Sequence, residues 1–148
     1  MIQHRAPCMK SDLIAELNHL LAEEVEASLR YLHLTIALEP QDAAVLKMFQ
    51  DARDETIEHA EQVGAKIRAL GGVPRIEIRM SCPNGPISVP DAIAEVLTFE
   101  EAALEGYQEL LESVLHGGAA DADLVEFLRS QVKLESEHVE QFRRLAGA

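Results

Sequence analysis

Four stretches of this chain, each about 25 to 30 residues long, repeat apolar residues every three or four positions. That period lays one apolar stripe along a helix and leaves the opposite face to water. The first stretch runs from about Ser11 to Leu38, with Leu13, Leu17, Leu20, Glu24, Ala27, Tyr31 and Leu34 on its stripe and Ser11 as the expected N-cap. Pro40 stops it, and Asp42 helps open a second stretch that reaches Leu70. The second stripe holds Leu46, Phe49, Arg53, Thr56, His59, Ala60, Val63, Ile67 and Leu70, and Gly71, Gly72 and Pro74 end it.

A third helix is expected from Ser88 and Pro90 to about His116, and a fourth from about Asp121 to Leu145. The third stripe carries Ile93, Val96, Glu100, Tyr107, Leu110 and Val114; the fourth carries Leu124, Leu128, Gln131, Leu134 with Glu135, His138, Phe142 and Leu145. "RIEIRM" alternates, but it is too short and isolated to read as a strand. The fold expected is therefore all-α, a four-helix bundle. Its first and last connections are short and make antiparallel hairpins. The middle one, residues 73–88, could extend to roughly 50 Å. A 28-residue helix is about 42 Å long, so this loop can cross the bundle and leave the second and third helices parallel.

Five residues interrupt the apolar stripes: Glu24, His59, Glu100, Glu135 and His138. An unpaired carboxylate in a core is costly, so each needs a partner or a cation. Counted from the helix ends, they fall near mid-bundle in both hairpins, which gathers them into one cluster. Glu135 and His138, in "LESEH", are three apart and lie roughly 60° apart around a helix, so both can face one ion. Carboxylates suit hard cations, and imidazole suits iron, manganese or zinc. The same spacing in Glu16-x-x-His19 lies on the polar side of the first stripe and reads as solvated. His33 reads as a surface or subunit-contact residue, His4 as part of a tail, and His116 as a complement to a helix dipole.

A formal charge of −13 argues against nucleic acid or an anionic membrane as partner and fits a protein that attracts cations. No stretch has the roughly 18 apolar residues of a membrane span. "MIQHRAPCMK" contains no apolar run to serve as a secretion signal, and Cys8 and Cys82 form no Cys-x-x-Cys pair. The expected compartment is the cytoplasm. Residues 1–10 are expected as a tail and 11–148 as one domain.

With these residues in hand, the sequence resembles the bacterioferritins of the ferritin-like di-iron superfamily. The likeness is carried by "LNHLLAEEVEASLRYLHL", "HAEQVGAKIRALGGVP", "VLTFEEAALEGY" and "LESEHVEQF". The family site takes one Glu from each of two helices and Glu-x-x-His from each of the other two. The resemblance implies that Glu24, His59, Glu100, Glu135 and His138 are metal ligands for one or two iron ions, or for another divalent metal. It implies Fe(II) oxidation by oxygen or peroxide, in iron storage or detoxification, and a homo-oligomer that is at least a dimer.

Three positions depart from the family pattern. Thr56 stands where the second-helix ligand glutamate belongs; Glu55 is near in sequence but out of register unless a helix bulge brings it in. Ile57 stands where haem-binding members carry methionine, so haem is not expected. Only ten residues follow His138, so the family's short fifth helix is not expected, which weighs against a hollow mineral-storing cage. The alternative is a non-catalytic or degenerate subunit, its site mononuclear or empty, acting in assembly. A rubrerythrin-like peroxide reductase ranks lower, because such a protein wants a Cys-x-x-Cys electron-transfer module.

Overall fold

The structure is a computed structural model that describes residues 10–39, 43–117 and 121–147. It contains four helices: α1 (Lys10–Ala37), α2 (Ala43–Ala69), α3 (Val89–His116) and α4 (Ala122–Gly147). Among the described residues there is no strand, only an isolated parallel bridge between Leu38 and Ile87. "RIEIRM" is thus loop, as expected.

Helix ends follow local chemistry, with small differences from expectation. The Ser88 hydroxyl accepts a hydrogen bond from the Asp91 amide at 3.3 Å, with Pro90 in the first turn. At the end of α2, the Gly71 amide donates to the Arg68 carbonyl and the Gly72 amide to the Ile67 carbonyl, both at 2.9 Å. That pair of bonds, with Gly71 at φ +83°, is a Schellman stop. Leu38 and Leu70 fall just outside their helices. Ser11 is not a cap: α1 already includes Lys10, so Ser11 lies within the first turn. Pro40, Asp42, Cys8 and His4 lie outside the described residues.

A Cβ added to Gly72 would sit 2.7 Å from Ile14 Cγ2 and 3.0 Å from Ile67 Cγ2. Neither methyl is at a flexible chain end. Gly72→Ala is therefore expected to destabilise the protein by about 1–3 kcal/mol, the range for overpacking, as read by urea or thermal unfolding. An unchanged midpoint would show that Ile14 yields freely.

Residues 70–88 run beside α1 along its whole length. Asn18 accepts from the Arg75 amide (2.6 Å), Glu26 accepts from the Arg79 amide (3.1 Å), and Ala37 accepts from the Ile87 amide (2.9 Å). The connection begins near the start of α1 and ends near its finish. Helices α2 and α3 therefore run parallel, and the bundle is two antiparallel hairpins joined by a crossover.

The core is in two parts. One apolar cluster holds Leu17, Leu20, Leu21, Val63, Ile67, Tyr107, Leu110, Val114, Leu124 and Leu128. The other holds Tyr31, Leu34, Leu38, Val45, Phe49, Ala52, Ala92, Ile93, Val96 and Phe142. Between them lies a polar layer of Glu24, Thr56, His59, Glu100, Gln131 and Glu135, all buried. Two stripe assignments are corrected. On α2 the core face is Val45, Phe49 and Ala52, while Leu46 and Arg53 lie at its edge; Arg53 pairs with Asp54. On α4, Val139 is buried and Leu134 is exposed. On α2 the buried member of each adjacent pair is the smaller one, Val45 beside Leu46 and Ala52 beside Arg53; on α4 it is Glu135 beside Leu134.

Candidate metal centre

All five stripe-breaking residues meet in the polar layer. Glu24 comes from α1, His59 from α2, Glu100 from α3, and Glu135 and His138 from α4. Among the described residues, two groups place one ligand atom from each member within 4.8 Å of the others: Glu24, His59 and Glu135; and Glu100, Glu135 and His138. Glu135 belongs to both. The two imidazoles stack with ring centres 6.4 Å apart and planes 20° apart.

His59 Nδ1 lies 3.5 Å from Glu135 Oε1 and 3.8 Å from Glu24 Oε1. Neither approach makes a hydrogen bond. His59 Nδ1 and Glu135 Oε2 are buried without a hydrogen-bond partner among the described residues. Native interiors rarely leave such atoms orphaned, and a bound ion is one standard remedy. In the other group, His138 Nδ1 is 3.9 Å from Glu100 Oε2, and its Nε2 is 2.7 Å from Glu55 Oε2.

Two tyrosines brace the carboxylates, and the sequence reading passed over them. Tyr107 donates to Glu24 Oε1 at 2.6 Å, and Tyr31 donates to Glu100 Oε1. Each tyrosine stands seven residues after the glutamate of its own helix and serves the glutamate of the other. That equal spacing was visible in the sequence, but the exchange between antiparallel helices was not. Gln131, also buried, donates from Nε2 to Gln62 Oε1 at 3.1 Å.

Burial dominates the electrostatics. It pushes Glu24 up to about 7 against the pull of His59 and Tyr107. It also pushes Glu135 up to about 7. Glu100 is raised well above the usual carboxylate range by burial and by the neighbouring Glu135. Three carboxyls in one dry layer cannot all ionise cheaply without a cation. The donor set of carboxylate oxygens and imidazole nitrogens suits a first-row divalent metal.

The departures from the family pattern have definite geometries. Thr56 is buried, and its hydroxyl donates to the Ala52 carbonyl at 2.7 Å instead of facing an ion. No bulge carries Glu55 inward, because α2 is an uninterrupted α-helix from Ala43 to Ala69. Glu55 instead reaches along the rim to His138, with its side chain 52% exposed. Ile57 points outward and is 45% exposed. Glu16 and His19 lie on the exposed face, where His19 meets Glu23 at 3.0 Å. His116 Nδ1 is 2.8 Å from the Glu112 carbonyl, at the end of α3.

Residues 14–148 match the family described as the ferritin-like domain. No curated protein matches the chain. Among solved structures, a ferritin-like diiron-carboxylate protein from Bacillus anthracis str. Ames is 26% identical, with a TM-score of 0.79 over 93% of this chain and 96% of that one. The bacterioferritin of Desulfovibrio desulfuricans is 22% identical, with a TM-score of 0.81 over 93% of this chain and 80% of that one. The DPS protein of Vibrio cholerae O1 is 12% identical, with a TM-score of 0.82 over 92% of this chain and 89% of that one. At the identities of the last two, the likeness is one of fold.

Proposed function

Because the chain belongs to the ferritin-like domain family, we propose that its polar layer is an iron-binding centre at which Fe(II) is oxidised. One observation carries this reading: two Glu/His groups share Glu135, and buried His59 Nδ1 and Glu135 Oε2 lack partners among the described residues. Glu24 and His59 would hold one ion, Glu100 and His138 the other, and Glu135 would touch both. Two Fe(II) ions supply two electrons, enough to reduce dioxygen to hydrogen peroxide, or peroxide to water, with uptake of two protons. The chain's residues hold the ions near each other, keep bulk water out, and fix the carboxylates through Tyr31 and Tyr107. Storage or detoxification of iron follows from that chemistry. Haem has no part in it, since Ile57 offers no ligand atom.

The working unit in this reading is one domain that opens with α1 at Lys10, assembled at least as a dimer in the cytoplasm. An apolar groove on the α1/α2 face, lined by Val25, Ile57, Ala60 and Ile76, supports self-association. No described helix is long and apolar enough to cross a membrane. The second reading is an assembly subunit with a mononuclear or empty site, and it draws on Thr56 alone.

Anaerobic Fe(II) titration followed by exposure to air tests the proposal. Saturable binding is expected, then oxidation faster than in buffer. Absence of binding rejects both iron chemistry and the mononuclear alternative. Binding without accelerated oxidation leaves an iron-binding subunit that is not an enzyme.

A further inference from the structure

The two ligand groups would be near mirror images but for one residue. Thr56-x-x-His59 on α2 stands opposite Glu135-x-x-His138 on α4, and Glu24 on α1 opposite Glu100 on α3. Even the bracing tyrosines are exchanged symmetrically. Thr56 breaks the match, and its hydroxyl is already spent on the Ala52 carbonyl.

We propose that the pocket fills unequally and in order: the first divalent cation goes to Glu24, His59 and Glu135, and Thr56 leaves Glu100 with His138 as a weak second position. This rests on the pocket being a metal centre. It adds which half is occupied first and which residue sets the difference.

Two observations converge on that order. The orphaned His59 Nδ1 belongs to the first group alone, the orphaned Glu135 Oε2 is shared by both, and no atom of Glu100 or His138 is among the buried, unpartnered ones. A cation in the first group supplies the partner that His59 Nδ1 lacks. The tyrosine contacts are equal in the two groups, Tyr107 on Glu24 and Tyr31 on Glu100, but His138 already has a partner in Glu55, where His59 Nδ1 has none.

Burial differs as well. His59 has 8% of its side chain exposed and His138 has 16%, and the Glu55 that backs His138 is half exposed. Water screens charge at the second position more than at the first, so attraction for a cation is weaker there.

The count of charges sets how weak the second step is, while the orphaned nitrogen and the burial set which half comes first. The first ion's two positive charges are matched by Glu24 and Glu135. A second ion brings two more, but Glu135 is already shared and only Glu100 is new. A glutamate at 56 would have supplied the fourth carboxylate. Glu55 supplies its charge only through His138, as an outer partner that orients the ring.

Calorimetric titration of the full chain with Zn(II), which has no redox chemistry, separates the two steps, and anomalous scattering at the zinc edge locates the first ion. In the unaltered protein, two steps are expected, the second weaker by roughly a hundredfold. Glu100→Gln should keep the tight step and lose the weak one, while Glu24→Gln should lose the tight one. Thr56→Glu should tighten the second step at least about tenfold. That variant adds a buried carboxyl that can weaken the metal-free fold, so the Glu24→Gln and Glu100→Gln pair is decisive without it. Two steps of equal affinity, or a first ion seated between Glu100 and His138, overturn the order while the metal-centre reading stands. No Zn(II) binding at all removes both.

Discussion

Glu135→Gln is expected to empty both halves of the pocket at once. Glu135 is the one side chain that belongs to both ligand groups, and the amide offers neither the charge nor the second anionic oxygen. Loss of even an outer partner costs a metal site 10- to 100-fold, roughly, so loss of a shared ligand should cost at least about a hundredfold at each position. The same change should leave the metal-free protein more stable at pH 8, not less. Burial pushes the Glu135 carboxyl up to about 7, so at pH 8 the native protein carries a buried charge that glutamine removes. A gain of about 1–3 kcal/mol is expected. Zn(II) calorimetry and thermal melts in chelator at pH 8 measure the two effects together. Lost binding with lowered stability would assign the loss to misfolding and sink the ligand assignment.

The second large effect is in pH. Glu24 and Glu135 titrate near 7 in the folded chain against an ordinary value of 4.5, because burial disfavours their charge. Folded pKa values above the unfolded ones mean that the native state holds protons that the unfolded state releases. The stability this contributes is full below about pH 4.5, falls as pH rises through the folded values near 7, and is gone above them. A shift of this size corresponds to roughly 3 kcal/mol for one such group, against the 5–15 kcal/mol typical of a whole domain. The charge of −13 acts in the same direction.

A bound divalent ion takes the place of those protons. It should therefore raise the melting temperature far more at pH 8 than at pH 5.5, where protons compete for the ligands. Melts in chelator and in Zn(II), from pH 5 to 8, test this. A metal-free melting temperature that climbs between pH 5 and pH 7.5 would show that the carboxyls are not buried as described.

Much of this was legible in the sequence. The four helices and the crossover follow from periodicity and from Pro and Gly at their ends, since those signals are local. So did the gathering of Glu24, His59, Glu100, Glu135 and His138: a polar residue on an apolar stripe has nowhere else to go. The period does not decide between adjacent residues that both lie near the stripe. Periodicity alone favours Leu46 and Arg53 over Val45 and Ala52 and counts Leu134 with Glu135; the structure buries Val45, Ala52 and Glu135. Contacts between helices were the least legible. Glu55 was judged by its angle around α2, where it is out of register, and that angle says nothing of its reach along the rim to His138. Tyr31 and Tyr107 looked like ordinary core aromatics because their hydroxyl partners sit on another helix.

The divided core has a mechanical consequence. The two apolar clusters are separated by a layer that, without metal, holds carboxyls, imidazoles and an amide. Within that layer the first group of ligands spans the two hairpins: Glu24 and His59 belong to the first and Glu135 to the second. One ion bound there is a crosslink between the hairpins. Both apolar clusters already join the two hairpins, so the ion adds a third tie between them at the one level where the core is polar, and amide exchange at the layer becomes a gauge of occupancy.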